Sequence, residues 1–176
     1  MYNKSKTPFV LIFLLLLIQL ELISQNNPFS LIESDSIVVY EYNGTGGILI
    51  EDAINSKPEI IIQSKSMASE VIRQFELGIT DSMAYGQSTA SCFDPHLGLI
   101  YWIGGKIQAS INICLTCNYL KSSLVIPATE YHQISISADY AYAAKGFHKK
   151  TRKLIFDFCE NIGFNRFLEP LESIYD

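Results

Sequence analysis

The clearest pattern of apolar and polar positions lies between residues 99 and 113 and predicts a β-hairpin. The apolar, aromatic run at 99–103 leads into Gly104-Gly105, a dipeptide suited to a two-residue turn with positive φ. After the turn, apolar residues at 107, 109, 111 and 113 alternate with polar residues at 106, 108, 110 and 112. Because successive side chains of a strand point to opposite faces, one face of this strand should pack on the core and the other should meet solvent or a polar site.

Shorter β-branched and aromatic runs predict further strands. They lie at 37–42, 48–50, 60–62, 124–126 and 133–137. The glycine-rich segment at 43–47 should turn the chain between the first two, and it lacks the Gly-Lys-Ser/Thr ending of a phosphate-binding loop. Together with the hairpin, these runs predict an antiparallel sheet of about five strands.

Two segments carry apolar residues at helical spacing. The first is predicted to start at Ser66 as N-cap and to run to about Leu77, with Gly78 as its stop. The second is predicted over 149–161 and should end at Gly163. The whole pattern predicts one α+β domain over residues 37–176, with two helices packed on one face of the sheet.

The N-terminal segment has the order of charges of an export signal. Lys4 and Lys6 precede an unbroken apolar run at 9–18, and polar residues follow at 19 and 21. Residues 1–24 are therefore interpreted as a signal peptide, because the run is shorter than the ~18–20 residues that cross a bilayer. The alternative is an inner-membrane anchor at residues 8–23. Residues 25–36 are polar and are predicted to be a flexible lead-in.

The net charge and the hydropathy of the exported domain argue against a nucleic-acid partner and against a membrane span. The chain has 13 Lys/Arg and 18 Asp/Glu, of which the leader takes two and one, so the remaining 152 residues carry a net charge of about −6. An acidic domain has no global field for nucleic acid, and no nucleic-acid partner is expected. No second membrane-length apolar run follows, so no membrane span is expected in the mature domain, which should be periplasmic or extracellular.

Three of the four cysteines and one histidine form the candidate site. Cys92 and His96 are separated by three residues, and Cys114 and Cys117 by two, with 17 residues between the pairs. Three thiolates and an imidazole make a tetrahedral zinc set, and the hairpin between the pairs should bring them to the same edge of the sheet. Cys159 lies on the apolar stripe of the last helix and is expected to be buried and unpaired.

Disulfide bonding explains the same proximity, and export favours it. We expect Cys92 to pair with Cys114 or Cys117, with a metal site and free thiols as the alternatives. If the strand continued regularly, Cys114 and Cys117 would point to opposite faces and could not meet unless the chain turned between them. A thioredoxin-type pair would need a helix at the first cysteine, which the sequence does not predict, and position 118 is Asn where a c-type haem site needs His.

The motif Cys92-Phe-x-Pro-His96-x-Gly98, the hairpin, and then Ile111-x-Ile-Cys114-x-x-Cys117 resembles an uncharacterised family of small exported proteins from Bacteroidota. The similarity extends to Ala84-Tyr-Gly86 and to the closing helix. It implies a bacterial envelope setting and implies no substrate.

The expected function is that of an exported, non-catalytic structural or partner-binding domain whose cysteines fix one edge of the sheet. The alternative is a metal-binding or thiol-redox protein that uses Cys92, His96, Cys114 and Cys117, with zinc as the candidate metal. No serine elbow, paired carboxylates or His-Glu-x-x-His helix appears, so no catalytic residue is assigned. An envelope protein is a candidate partner.

Overall fold

A computed structural model describes residues 27–137 and 140–166 of the chain. The predicted signal peptide at 1–24 lies outside these residues. In chain order the elements are β1 (Ser36–Tyr42), α1 (Ile50–Ser56), β2 (Ile61–Met67), α2 (Ser69–Thr80), β3 (Tyr85–Gln87), β4 (Leu97–Ile103), β5 (Lys106–Cys114), β6 (Tyr119–Ser122), β7 (Gln133–Ser137), β8 (Tyr140–Ala143), β9 (Gly146–Phe147) and α3 (Lys149–Ile162).

Five strands form one antiparallel sheet in the order β2-β1-β4-β5-β6. Two small ribbons, β3 with β9 and β7 with β8, stand beside it. The strands predicted at 37–42 and 133–137 are confirmed, although the second pairs in a ribbon of its own. The fold is α+β, as the sequence predicts.

The two longer helices pack on one face of the sheet, as predicted. Ile72 and Phe75 of α2 and Ile155 and Phe158 of α3 belong to the same buried cluster as the inward side chains of β1, β4 and β5. The rings of Phe75 and Phe158 are 4.3 Å apart at the interface of the two helices. Burying large side chains of this kind contributes roughly 1.5–3 kcal/mol each, so this layer forms the main core.

The opposite face of the sheet is covered by a third helix that the sequence pattern does not reveal. Helix α1 begins at Ile50, and its Ile50 and Ala53 pack on Tyr42 and Ile100. The strand predicted at 48–50 is therefore wrong. An apolar run of three residues fits a strand and the start of a short helix equally well, and here Glu51 and Asp52 follow in the first helical turn, where the helix dipole favours acids.

The central hairpin is confirmed, with its turn at Gly104 and Gly105, which have φ of 54° and 74°. The pairing shifts by one residue, so that Tyr101 faces Ala109 while Trp102 faces Ile107. The strict alternation predicted for β5 therefore breaks at 107. Ile107 packs on the α1 side of the sheet, whereas Ala109, Ile111 and Ile113 face the main core.

The predicted bounds of the first long helix are wrong at both ends. Ser66 is a residue of β2, and the helix begins at Ser69 after Ala68. Gly78 does not stop it but lies inside it, where a Cβ would collide with the side chain of Leu154 on α3. The second long helix ends at Gly163 as predicted, with φ of 81° and the amide of Phe164 donating to the carbonyl of Cys159.

Three other predicted segments differ from the structure. The strand expected at 60–62 runs from Ile61 to Met67, and residues 124–126 form no strand, because the chain has already paired at β6 and then enters a 3₁₀ turn at Pro127–Glu130. Part of the expected lead-in is packed on the domain. Phe29 is buried and stacks on Tyr101 with ring centroids 5.4 Å apart.

Among residues 27–137 and 140–166, no helix has the length and apolar character that crossing a membrane requires.

Candidate functional site at the cysteine edge of the sheet

The hairpin brings the two halves of the cysteine motif together. Leu97 at the start of β4 pairs with Ile113 near the end of β5, and the amide of His96 donates to the carbonyl of Ile113 at 3.0 Å. The segment that contains Cys92 and His96 therefore lies beside the end of β5, where Cys114 is placed. The predicted proximity is confirmed.

A four-residue turn connects β5 to β6 and places Cys117 on the same side as Cys114. The strand ends at Cys114, and the amide of Asn118 donates to the carbonyl of Leu115 at 3.2 Å. Asn118 has a left-handed φ of 63°, a conformation that asparagine tolerates better than most side chains. Because β5 ends at Cys114, the regular alternation that would place the two cysteines on opposite faces does not extend to Cys117.

Cys92 and Cys117 form a disulfide, with their Cα atoms 5.8 Å apart. This separation lies within the usual range for disulfides. Of the two pairings that the sequence leaves open, the structure selects Cys117. The bond joins two environments, because Cys92 is exposed at the surface whereas Cys117 is fully buried.

Cys114 remains a thiol and packs in the same buried cluster as Cys117. It is fully buried, and the amide of Cys117 donates to its Sγ at 3.2 Å. The Oγ1 of Thr116 lies 3.3 Å from the same sulfur. Phe93 packs on both Cys114 and Cys117, so the three residues form a small core of their own at this edge.

Hydrogen bonds hold the loop before β4 against the turn after β5. The hydroxyl of Tyr119 donates to the carbonyl of Cys92 at 2.8 Å, and the amide of Ala90 donates to the carbonyl of Cys117 at 3.0 Å. The side-chain amide of Asn118 donates to the carbonyl of Ser88, also at 3.0 Å. The disulfide is thus one of several links between the loop and the turn.

Phe93 is also the centre of an aromatic and cationic group. Its ring centroid lies 4.8 Å from that of Tyr119, and the ammonium of Lys121 lies 4.3 Å from the Phe93 centroid. Cation–π contacts at exposed positions are worth about 0.5–1 kcal/mol. Phe93 and Tyr119 also pack in the cluster that contains Cys117, the buried half of the disulfide.

His96 lies close to the cysteines in the chain but faces a different environment. Its Nδ1 is 3.2 Å from the carbonyl oxygen of Tyr42. Burial lowers the pKa of His96, and the contact with the Tyr42 carbonyl acts in the opposite direction. The ring borders a cavity of about 30 Å³ together with Glu41 and Cys159, a space of the size that one or two water molecules occupy.

The predicted Cys₃His zinc set is not gathered around one point. Among the described residues, one group of three has metal-ligating atoms that all lie within 4.8 Å of one another, namely Cys92, Asp94 and Cys117, and neither His96 nor Cys114 belongs to it. Asp94 is the residue that sequence reasoning misses, although its position two residues after Cys92 is a signal that was open to it. In this structure its Oδ1 accepts a hydrogen bond from the amide of Gly46 at 2.8 Å.

Cys159 is buried and unpaired on α3, as predicted. Burial raises the pKa of its thiol to about 12, and the negative charge of Glu41 acts in the same direction. A thiol with this pKa is almost wholly protonated at neutral pH, so it is a poor nucleophile and behaves as a small apolar side chain.

Comparison of the chain with protein-family models, with curated proteins and with solved structures gives no match.

Proposed function

We propose that this chain is an exported, non-catalytic domain, structural or partner-binding, in which the Cys92–Cys117 disulfide fixes one edge of the sheet. The observation that supports this function is the disulfide itself. Disulfides form and persist in the periplasm and outside the cell, whereas cytosolic thiols are kept reduced. A bacterial envelope setting agrees with residues 1–24, in which positively charged residues precede an apolar run as in an export signal.

The fixed edge is proposed to present the loop before β4 to an envelope protein. Residues 87–92 are exposed, yet their backbone is tied to the turn after β5 by the disulfide and by the hydrogen bonds from Tyr119 and Asn118. A loop that is ordered before binding loses less conformational entropy when a partner binds. The disulfide would then serve binding by pre-organising a surface.

Export and oxidation are tested together by expressing the full chain with its own leader and fractionating the cells. Exported protein that is denatured and alkylated without reductant should take up label at Cys114 and Cys159 alone. Its mass should also show the loss of residues 1–24. Label on all four cysteines of the exported protein, or retention in the cytosol, would remove the proposal.

Partner binding is tested by photo-crosslinking in the producing cell. A crosslinking residue at Ser91, on the exposed loop, should capture an envelope protein, and the double variant Cys92→Ser/Cys117→Ser should lower the yield. The matched control places the same residue at Lys57, which is exposed after α1. Equal capture from both positions would contradict binding by the loop, and no capture would leave the structural version.

A second candidate function is metal binding in the reduced state, and it rests on the grouping of Cys92, Asp94 and Cys117. Two thiolates and a carboxylate are ligands that zinc accepts, but the thiolates exist only when the disulfide is open. Elemental analysis of reduced protein dialysed against zinc should then find about one zinc per chain, and none after Asp94→Ala with Cys92→Ser. Absence of zinc from the reduced protein would exclude this function.

A further inference from the structure

A free thiol, that of Cys114, packs in the same buried cluster as Cys117, one half of the disulfide. The Sγ of Cys114 is held 3.2 Å from the backbone nitrogen of Cys117, which is joined to its own sulfur only through Cα and Cβ. Both side chains are fully buried and pack in the same cluster with Phe93. The thiol that remains therefore contacts the backbone of Cys117, the inner half of the disulfide, within one buried cluster.

The two cysteines of the alternative bond lie close together in the chain, at the end of β5 and in the turn that follows it. Cys114 and Cys117 are the ends of a Cys-x-x-Cys segment that turns back on itself, since Cys114 closes β5 and Asn118 turns the chain into β6. Cysteines at this spacing form reversible disulfides in oxidoreductases. The outer half of the present bond, Cys92, is exposed and can leave without uncovering the core.

We propose that Cys92, Cys114 and Cys117 form an internal thiol–disulfide exchange site, in which the bond moves from Cys92–Cys117 to Cys114–Cys117 and leaves a thiol at the surface. The proposal rests on the disulfide of the proposed function and adds a reaction to it.

The step is balanced within the protein. Cys114 loses its proton to water, and its thiolate sulfur attacks the Sγ of Cys117. The bond between Cys117 and Cys92 breaks, its electron pair leaves on the Cys92 sulfur, and that sulfur takes up a proton. No electron enters or leaves the protein, so no oxidant or reductant is needed.

The product gives this edge a covalent binding function. A surface thiolate at Cys92 can attack a disulfide of a partner protein, forming a mixed disulfide and releasing one thiolate of the partner. The substrate class is therefore an exported protein that carries an accessible disulfide. In the resting form the same sulfur is bonded to Cys117 and cannot react in this way.

The exchange is tested on purified, exported protein that has first been shown to contain the Cys92–Cys117 bond. The protein is incubated without reductant at about pH 8.5, near the ordinary pKa of a thiol, with a maleimide as trap. Trypsin cuts after Arg73, Lys106 and Lys121. Cys92 therefore falls in one peptide, and Cys114 and Cys117 fall together in another. We expect time-dependent label on Cys92, together with a 107–121 peptide that is lighter by two hydrogens than its reduced form.

Two variants separate exchange from other routes to a labelled Cys92. Cys114→Ser should abolish the label, whereas Cys159→Ser should label at the wild-type rate. A wild-type protein that acquires no label on Cys92, or a Cys114→Ser protein that labels equally fast, would overturn the exchange while leaving the disulfide of the proposed function intact.

A last variant does not depend on how well Cys114→Ser folds. When exported, Cys92→Ser should carry the Cys114–Cys117 disulfide, so that alkylation after denaturation labels Cys159 alone. Label on Cys114 and Cys117 as well would show that these two cysteines do not pair, and the proposal would fail.

Discussion

The hydroxyl of Tyr101 on β4 donates a 2.7 Å hydrogen bond to Oε1 of Glu76 on α2, and both residues are buried. The other carboxylate oxygen of Glu76 accepts a 3.0 Å bond from the side-chain amide of Asn27, which precedes β1. One buried carboxylate thus joins the helix to the sheet and to the N-terminal segment. Buried charges are tolerated when they are hydrogen-bonded in this way.

Replacing Tyr101 by Phe should destabilise the protein by about 1–3 kcal/mol, because it leaves Oε1 of Glu76 buried without its donor. Urea unfolding at neutral pH measures the change. Equal unfolding midpoints for the wild type and Tyr101→Phe would mean that the carboxylate finds another donor.

Gly78 and Leu154 should be energetically coupled, because a Cβ at position 78 would collide with the Leu154 side chain. Replacing Gly by Ala inside a helix ordinarily gains about 0.8–1 kcal/mol. We expect Gly78→Ala to give no gain in the wild type, where the collision offsets it, and to give the full gain in a Leu154→Ala background. A double-mutant cycle in urea measures the coupling, and equal effects in both backgrounds would contradict it.

These two contacts show where sequence reasoning reaches its limit. The hairpin is predictable because its turn and its pairing are encoded by neighbouring residues, Gly104 and Gly105 above all. Gly78 is a residue type that often ends a helix. Here the glycine is explained instead by the close approach of α3, which lies 70 residues or more further along the chain. Ser66 is a residue type that favours the N-cap position, yet strand pairing with Val38 determines its conformation.

The candidate site was predictable to a similar extent. The hairpin indicates that Cys92 approaches Cys114 and Cys117, but choosing Cys117 requires the conformation of the turn, which depends on the left-handed φ of Asn118. Helix α1, which covers the polar face of β5, could not be predicted either. Helix α1 has only seven residues and no side-chain N-cap, so its sequence carries little helical signal.

Asn112 anchors this short helix, and its removal should be costly. Its Oδ1 accepts from the hydroxyl of Tyr42 at 2.8 Å and from the amide of Ile50 at 2.7 Å, and its Nδ2 donates to Glu51 at 3.1 Å. Asn112→Ala should destabilise by about 3 kcal/mol, since two buried donors lose their acceptor. Ser110→Ala, which removes one bond to Glu51, should cost about 1 kcal/mol. Urea unfolding of both variants checks the order, and a Ser110→Ala cost equal to or above that of Asn112→Ala would contradict it.

Removing the disulfide should lower stability by roughly 3–4 kcal/mol, the loop-closure entropy expected for its sequence separation of 25 residues. The double variant Cys92→Ser/Cys117→Ser is the appropriate one, because a single substitution leaves a partner thiol that can react. Denaturant unfolding measures the loss. Reduction of the wild type should produce the same loss, and the reductant should have no effect on the double variant.

Alkaline pH should destabilise the protein through its buried tyrosines. Burial raises the pKa of Tyr85, whose hydroxyl donates to the carbonyl of Ile79 at 2.7 Å. Because the pKa is higher in the folded than in the unfolded state, the stability from this group is complete below the unfolded value of 10.0 and is lost as pH rises from there toward the folded value. One such group contributes a slope of up to about 1.4 kcal/mol per pH unit.

Tyr85→Phe should therefore be less stable at neutral pH but should lose stability less steeply above about pH 10, as measured by urea unfolding at a series of pH values. An unchanged slope in Tyr85→Phe would show that this phenol is not the group whose ionisation opposes folding.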